Sequence, residues 1–193
     1  AGNRVAATLS INLPFGSGFL IPGTGVIVNN EMDDFSVKPN EPNAYGLIGF
    51  EANAIAPGKR PLSSMSPTFV VGPERIGILG TPGGSRIISM VLLGILDFAD
   101  GQLPESWVDR PRYHHQYRPD VVQFEEQAFN ASERGALEAM GHALRPTRGS
   151  YGDMHAIMWD RRTDIVYAAS DKRGEGAAAL IDVQREEEER REE

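Results

Sequence analysis

Cysteine is absent from the 193-residue chain. Disulfide bonds and thiol catalysis are therefore excluded, and any zinc site would have to use histidine and carboxylate ligands. Long hydrophobic runs are absent too, since the longest, IISMVLLGIL at 87–96, is too short to span a bilayer. No stretch resembles a signal peptide, so we expect no targeting segment within these 193 residues.

Basic residues are in the minority. The chain has 19 Lys and Arg against 27 Asp and Glu, for a net charge of −8, so nucleic acid is not an expected partner. Much of the acidity lies in QREEEERREE at 184–193. Such a charge run is typical of a solvated helix or frayed tail, and we treat residues 175–193 as a charged C-terminal tail.

Strand patterns and helix patterns occur in clusters, which favours an α+β fold with a largely antiparallel sheet. Apolar and turn residues predict one hairpin from 68–71 and 75–80, and a second from 154–160 and 164–170. Further strands are predicted at 4–12, 25–30 and 121–126, with helices at 86–100 and at 132–142, the last capped by Ser132. Residues 37–58 lack periodicity and predict a long loop of the kind that is usually functional or disordered.

Two adjacent serines lie in the segment KRPLSSMSPT at 59–68. Pro61 and Pro67 restrict the backbone on both sides, so Ser63 and Ser64 are expected to be held still. With a basic pair beside them, two fixed hydroxyls suit a carboxylate. Neither serine lies in a Ser-x-x-Lys or Gly-x-Ser-x-Gly motif, and no histidine is adjacent to act as a base, so we interpret them as binding groups.

An acidic cluster follows an apolar segment in NNEMDDFS at 29–36. Glu31, Asp33 and Asp34 are close enough in sequence to bind an ammonium group or a metal, or to act as an acid–base pair. An EF-hand is excluded because no glycine occupies the required loop position. A solvated turn is the alternative interpretation.

A glycine pair separates a predicted strand from a predicted helix in TPGGSR at 81–86. Free backbone N–H groups at a helix start attract negative charge, and two of them aimed at a reacting carbonyl form an oxyanion hole. A plain tight turn is the alternative. Together these three segments indicate a pocket for an amino-acid head group beside an acyl-transfer site. The acidic cluster would bind the ammonium, the serines the carboxylate, and the glycine turn the oxyanion. No attacking residue is evident among them.

Two histidines are adjacent in PRYHHQ at 111–116. Neighbouring residues on an extended segment point to opposite faces, so His114 and His115 are poorly placed to share a metal. We therefore predict structural roles for them, and no metal or other cofactor is expected.

Four segments, NNEMDDFS, KRPLSSMSPT, PGGSRI and PRYHHQ, resemble in order and spacing the small, C-terminal, catalytic subunit of γ-glutamyltranspeptidase (glutathione hydrolase). The resemblance covers residues 1–174, which implies one catalytic domain there. It also implies an N-terminal-nucleophile hydrolase fold, an αββα sandwich that is incomplete without the large subunit. The family is made as a zymogen that processes itself into a heterodimer, and a periplasmic or extracellular location is implied.

The resemblance assigns substrate-binding roles to six residues. Five of them hold the two ends of the substrate head group, and the sixth is Tyr45. Ser63 and Ser64 look like the pair that binds the substrate α-carboxylate. Asp34 and Glu31 look like the groups that hold the α-ammonium, with Asn12 assisting. Cephalosporin-acylase relatives are expected to differ here, so Asp34 favours a γ-glutamyl substrate.

The resemblance also assigns the groups around the reacting carbonyl. Gly83 and Gly84 look like the oxyanion hole. Ser10 lies where the family usually has a threonine whose hydroxyl contacts the nucleophile. Tyr45 falls in the lid over the pocket, and residues 37–58 are expected to form that lid.

The family's nucleophilic threonine has no counterpart in this sequence. It is expected upstream of Ala1, where the segment AGNRV begins in a turn. Thr8 is internal and has no free amine, so it is no substitute. The large subunit is expected to add an arginine for the α-carboxylate, and the chain alone is expected to be inactive.

The implied activity is γ-glutamyl transfer and hydrolysis on glutathione and related compounds, through a γ-glutamyl-threonine acyl-enzyme. The implied partners are the large subunit from the same precursor, a γ-glutamyl donor, and an acceptor amino acid, peptide or water. An inert homologue that binds glutamate or γ-glutamyl ligands is the alternative, and a bare domain fragment without function is a third possibility.

Overall fold

The computed structural model describes residues 2–43 and 46–181. Tyr45 and the acidic end at 182–193 lie outside the described residues. The described strands are β1 Thr68–Val71, β2 Arg75–Gly80, β3 Tyr113–His114, β4 Val122–Phe124, β5 Leu144–Pro146, β6 His155–Asp160 and β7 Ile165–Ser170. The α-helices are α1 Arg86–Ala99, α2 Pro104–Asp109 and α3 Ala131–Ala139, and short 3-10 helices cover Glu31–Asp34, Glu51–Asn53 and Glu126–Ala128.

The larger sheet is antiparallel, with strand order β1-β2-β6-β7. Both predicted hairpins are confirmed as β1–β2 and β6–β7, and β2 pairs with β6 to join them. The smaller sheet has the order β3-β4-β5 and includes one parallel pair, β4 with β5. Strand β5 was not predicted because a three-residue Leu-Arg-Pro segment has no alternation to detect.

The core lies between α1, α2 and the larger sheet. Helix α1 buries residues spaced three and four apart, as an amphipathic helix must; these are Ile87, Met90, Val91, Gly94 and Phe98. The approach to the sheet is close, because a Cβ placed on Gly77 would come within 3.1 Å of Phe98 and 3.2 Å of Trp107. Trp107 is buried in this core and packs edge-on against Phe98. No described helix has the length and apolar character needed to cross a membrane.

The strands predicted at 4–12 and 25–30 are wrong. Residues 4–12 have no regular secondary structure, and the second segment contributes a single bridge between Leu20 and Ile27. Val5 and Leu9 are 78% and 93% exposed. A strand needs a continuous ladder of backbone hydrogen bonds. In the described residues this segment is joined at Ile11, whose carbonyl accepts from the Asn30 N–H at 3.3 Å, without forming such a ladder.

The cap of α3 also differs from the prediction. Asn130, two residues before Ser132, is the N-cap: its side chain accepts from the Glu133 N–H at 3.0 Å, and the Glu133 carboxylate accepts from the Asn130 N–H at 2.7 Å. This reciprocal capping box satisfies two backbone donors. Ser132 lies inside the helix.

A buried ion network joins α2, β4 and the end of β7. The Asp171 carboxylate accepts from the Arg112 guanidinium, from the Met154 N–H at 3.1 Å and from Arg173 Nη1 at 3.0 Å. Arg173 also pairs with Glu125 at 2.8 Å. Burial favours the neutral acid, but the Arg173 and Met154 amides and Arg112 hold the pKa of Asp171 below its ordinary value. These residues are far apart along the chain, and no motif in the sequence indicates the network.

Candidate functional site

One pocket of about 310 Å³ brings together the predicted site residues. Its wall is formed by the acidic turn, the serine segment, the glycine turn before α1 and the segment 8–14. The predicted residues that line it are Ser10, Asn12, Glu31, Asp34, Ser63, Ser64, Gly83 and Gly84. Tyr45, the remaining one, lies outside the described residues. Segments up to about seventy positions apart in sequence therefore converge on one cavity, although the role of each residue stays a prediction.

The acidic turn is a 3-10 helix rather than an open loop. It starts where the Asn29 side chain accepts from the Glu31 N–H at 3.0 Å. Asn30 ties it to the segment 8–14, because its carbonyl accepts from the Asn12 side chain at 3.1 Å and its side chain accepts from the Leu13 N–H at 3.0 Å. The turn thus holds Glu31 and Asp34 in the wall of the pocket.

Asp34 and Glu31 form a closely coupled carboxyl pair. Burial, the charge of Glu31, a hydrogen bond with Glu31 and the charge of Asp33 raise the pKa of Asp34 to about 6. One oxygen of Glu31, Oε1, is buried and has no hydrogen-bond partner within the described part of the chain. Two neighbouring carboxyl groups, one with an acceptor oxygen that lacks a hydrogen bond, favour the binding of a cation.

The serine segment has no regular secondary structure before β1, and Ser64 is more buried than Ser63. The Ser63 hydroxyl accepts from the Met65 N–H at 3.2 Å. Lys59 and Arg60, which precede the serines in sequence, are exposed and lie outside the pocket wall. They therefore do not provide the positive charge that was expected of them at this site.

Asn53 holds the acidic turn and the serine segment together, and sequence reasoning missed it. Its side-chain N–H donates to the Asp34 carbonyl at 2.8 Å, and its side-chain oxygen accepts from the Leu62 N–H at 3.0 Å. Its backbone carbonyl accepts from the Ser36 N–H at 3.0 Å. An amide that donates and accepts at once can bridge two backbones, but an asparagine in a long loop gives no such signal in sequence.

The glycine turn between β2 and α1 adopts backbone angles that favour glycine, with φ 143° at Gly83 and 58° at Gly84. A Cβ on Gly83 would lie 2.7 Å from Met90 Cε. Among the described residues, no oxygen accepts from the backbone N–H of either glycine. Both glycines line the pocket just before the N-terminus of α1, where unused backbone amides can bind an anion.

Ser10 lies in the segment 8–14 that lines the pocket. Its hydroxyl accepts from the Asn12 N–H at 2.8 Å, which fixes a tight bend where Asn12 has φ 70°. Thr8 also lines the pocket, but its nitrogen is an amide.

The two histidines face opposite sides of β3 and its continuation, as predicted. His114 is buried between Ser89 Oγ at 2.7 Å and Gln116 Oε1 at 2.9 Å, whereas His115 is exposed and contacts Asp120. Burial lowers the pKa of His114. In the described residues, no three His, Asp or Glu side chains are grouped to hold a metal ion.

Known proteins resemble this chain along most of its length. The family profile "Gamma-glutamyltranspeptidase" matches residues 1–181. The glutathione hydrolase proenzyme of Pseudomonas aeruginosa is 41% identical over 184 residues, which is 93% of this chain and 33% of that protein. The Escherichia coli glutathione hydrolase proenzyme is 42% identical over 89% of this chain and 30% of its own length. The chain thus spans about a third of these relatives.

The fold comparison agrees with the sequence comparison. A solved variant of the Helicobacter pylori γ-glutamyltranspeptidase superposes with a TM-score of 0.85 at 42% identity, covering 90% of this chain and 95% of the solved chain. The expected N-terminal-nucleophile hydrolase fold class is thereby confirmed. With the family profile, the relatives and the fold in agreement, this chain belongs to the γ-glutamyltranspeptidase family.

Proposed function

We propose that the 310 Å³ pocket binds the α-amino-acid end of a γ-glutamyl group. We further propose that the whole protein hydrolyses and transfers γ-glutamyl groups from glutathione and similar donors. One observation carries this proposal: a carboxyl pair, a serine pair and a glycine turn with unused amides line the same cavity. These groups complement the ammonium, the carboxylate and the developing oxyanion of such a substrate.

The two ends of the head group need opposite partners. Asp34 and Glu31 receive the ammonium, and Asn12 assists from the adjoining bend. Ser63 and Ser64 donate their hydroxyls to the carboxylate, which accepts up to four hydrogen bonds. An arginine from the large subunit adds the positive charge that Lys59 and Arg60 do not supply.

The chemistry is acyl transfer in two steps. The threonine hydroxyl upstream of residue 1 attacks the γ-carbonyl, and its proton passes through the free α-amine to the leaving amine as the C–N bond breaks. The amides of Gly83 and Gly84 donate to the oxyanion in each tetrahedral intermediate. Water or an acceptor amine then attacks the γ-glutamyl-threonine ester and releases glutamate or a new γ-glutamyl compound. Ser10 supports the nucleophile.

The relatives' names support a two-subunit assembly. They are called proenzymes, and this chain covers a third of their length but 95% of a solved chain. The large subunit of the same precursor is therefore the proposed partner, and it would supply the neighbours that the segment 4–12 lacks. A periplasmic or extracellular location rests on the resemblance alone.

The alternative is a homologue that binds γ-glutamyl ligands without turnover. Incubating the full-length protein with glutathione separates the two proposals. Release of free glutamate supports the enzyme, whereas saturable binding with no glutamate released supports the binding protein.

Removing both serine hydroxyls should weaken substrate binding. A hydrogen bond to a charged group contributes about 1.5–3 kcal/mol, so Ser63→Ala with Ser64→Ala should raise KM by about 100-fold or more. The measurement is steady-state kinetics of the full-length protein with a γ-glutamyl anilide. Ser132→Ala, an exposed position in α3, is the control. Unchanged KM in the double variant would remove the serines from the carboxylate site.

Activity should fall in acid because Asp34 must be ionised to hold an ammonium. Its pKa of about 6 means that the free protein carries a neutral Asp34 below that pH. Since kcat/KM reports groups of the free enzyme, kcat/KM should decrease below pH 6, approaching about tenfold per unit. The residual activity of Asp34→Asn should not show this decrease in kcat/KM below pH 6. The same decrease in the variant would mean that another group titrates.

A further inference from the structure

Gln116 makes four side-chain hydrogen bonds that no part of the proposed chemistry uses. Its Oε1 accepts from Ser85 Oγ at 2.8 Å and lies 2.9 Å from His114 Nε2. Its Nε2 donates to the Arg118 carbonyl at 2.6 Å and to the Gly46 carbonyl at 3.3 Å. Two acceptor sites and two N–H donors are the full capacity of a glutamine side chain, so the amide group is fixed in one orientation.

The first pair of bonds leads to the glycine turn. Ser85 follows Gly84 directly and is the N-cap residue of α1, yet its hydroxyl does not cap the helix. The hydroxyl instead donates to Gln116. The position of the residue next to the candidate oxyanion amides therefore depends on a side chain 31 positions further along the chain.

A histidine fixes the direction of the Gln116 amide. Ser89 Oγ contacts His114 Nδ1 at 2.7 Å, and burial lowers the pKa of His114, which favours the neutral ring. When Nδ1 accepts from Ser89, Nε2 carries the proton and donates to Gln116 Oε1. The NH₂ group of Gln116 is then directed at the Gly46 carbonyl.

The bond to Gly46 reaches the wall of the substrate pocket. Gly46 has φ 73°, and its N–H donates to the Asn43 carbonyl at 2.9 Å. The next residue, Leu47, donates to the Asn43 side chain at 2.9 Å and lines the 310 Å³ pocket. A shift of Gly46 therefore moves Leu47.

We infer that Gln116 is a positioning residue that ties the loop 37–58 to the glycine turn. It thereby fixes the position of the pocket wall at Leu47 relative to the amides of Gly83 and Gly84. Its effect on catalysis rests on the proposed function, whereas the tie itself does not. Gln116 does not line the 310 Å³ pocket. It acts through Ser85 on one side and through Gly46 on the other.

Hydrogen exchange of the full-length protein tests the tie without any need for activity. Gln116→Ala should speed amide exchange in a peptide covering residues 46–50 by about tenfold, since one net hydrogen bond contributes on that order. Gln116→Glu keeps the acceptor oxygen but loses the N–H donors, and should speed exchange equally. Gln123→Ala is the matched control, because Gln123 contacts Arg86 of α1 at 2.5 Å and has no described contact with the loop.

The same variants should separate positioning from general destabilisation. Gln116→Ala should lower kcat and raise KM, with kcat/KM reduced about 10- to 100-fold, the order expected for a small misplacement of reacting groups. Ser85→Ala should lower kcat mainly, and adding it to Gln116→Ala should change kcat little further, since both remove the same bond.

The outcomes are distinguishable. Exchange at 46–50 that equals the wild type in both Gln116 variants overturns the inference, as does equal acceleration in Gln123→Ala. Faster exchange with kcat and KM unchanged leaves Gln116 a structural residue and overturns the positioning role. If the wild-type protein has no γ-glutamyl activity, the proposed function fails, and the exchange result alone decides the tie.

Discussion

Replacing Asp34 by alanine should reduce kcat/KM of the full-length protein for γ-glutamyl substrates by about 30-fold to several thousandfold. The range follows from about 2–5 kcal/mol for truncating one partner of a buried, hydrogen-bonded charge pair. Asp34 lines the pocket beside Glu31, whose Oε1 lacks a described partner, so the ammonium loses one of two counter-charges. The loss should be concentrated in KM if the ammonium is held equally in the ground and transition states.

The matched control is Asp33→Ala. Asp33 lies one position earlier in the same 3-10 helix but outside the wall of the 310 Å³ pocket. Both variants remove one carboxylate from the same turn, so general electrostatic and folding effects should be similar. Steady-state kinetics with glutathione and with a γ-glutamyl anilide should show a large loss for Asp34→Ala and a small one for Asp33→Ala. Wild-type kinetics in Asp34→Ala would contradict the ammonium role.

The convergence of the site could be expected from sequence because its parts are local motifs. Paired serines between prolines, a glycine pair before a helix and an acidic turn each constrain a few neighbouring residues. The resemblance to a family supplied their relation in space. Composition alone would have left a solvated turn and a plain tight turn as open alternatives.

The residues that hold the motifs together could not be expected. Asn53 bridges Asp34 and Leu62, 19 and 9 positions away, while the contact from Gln116 to Gly46 spans 70 positions. A single Asn or Gln forms no sequence pattern. Its structural role depends on two backbone segments that come together only in the folded chain. The strands expected at 4–12 and 25–30 failed for a related reason, since a strand pattern describes faces but not the neighbour it needs.

The buried ion network should be the most sensitive part of the fold to a single substitution. Asp171 and Arg112 are each 2% exposed, and removing one partner of a buried pair costs about 3–5 kcal/mol because the other charge is left uncompensated. Asp171→Ala also leaves the Met154 and Arg173 backbone amides, which donate to this carboxylate, without their acceptor. We expect a large drop in the thermal midpoint of the full-length protein, or failure to accumulate as soluble protein.

Asp109→Ala is the control for this prediction. Asp109 pairs at 2.6 Å with Lys172, the residue that follows Asp171 in sequence. The side chain of Asp109 is 41% exposed and that of Lys172 is 82% exposed. Exposed pairs contribute about 0–1 kcal/mol, so the midpoint should move little. Similar losses in the two variants would mean that the buried network is no more important than a surface pair.

The network should also fail in acid, and the sign follows from the lowered pKa of Asp171. The folded protein holds this carboxylate ionised below the ordinary value of 3.8, so unfolding takes up a proton in that range. Its contribution to stability is therefore complete above about pH 4 and decreases as the pH falls toward the folded-state pKa. Urea unfolding of the wild-type full-length protein should show this decrease, and Asp171→Asn should flatten it. A slope that persists unchanged in Asp171→Asn would place the acid sensitivity in other carboxylates.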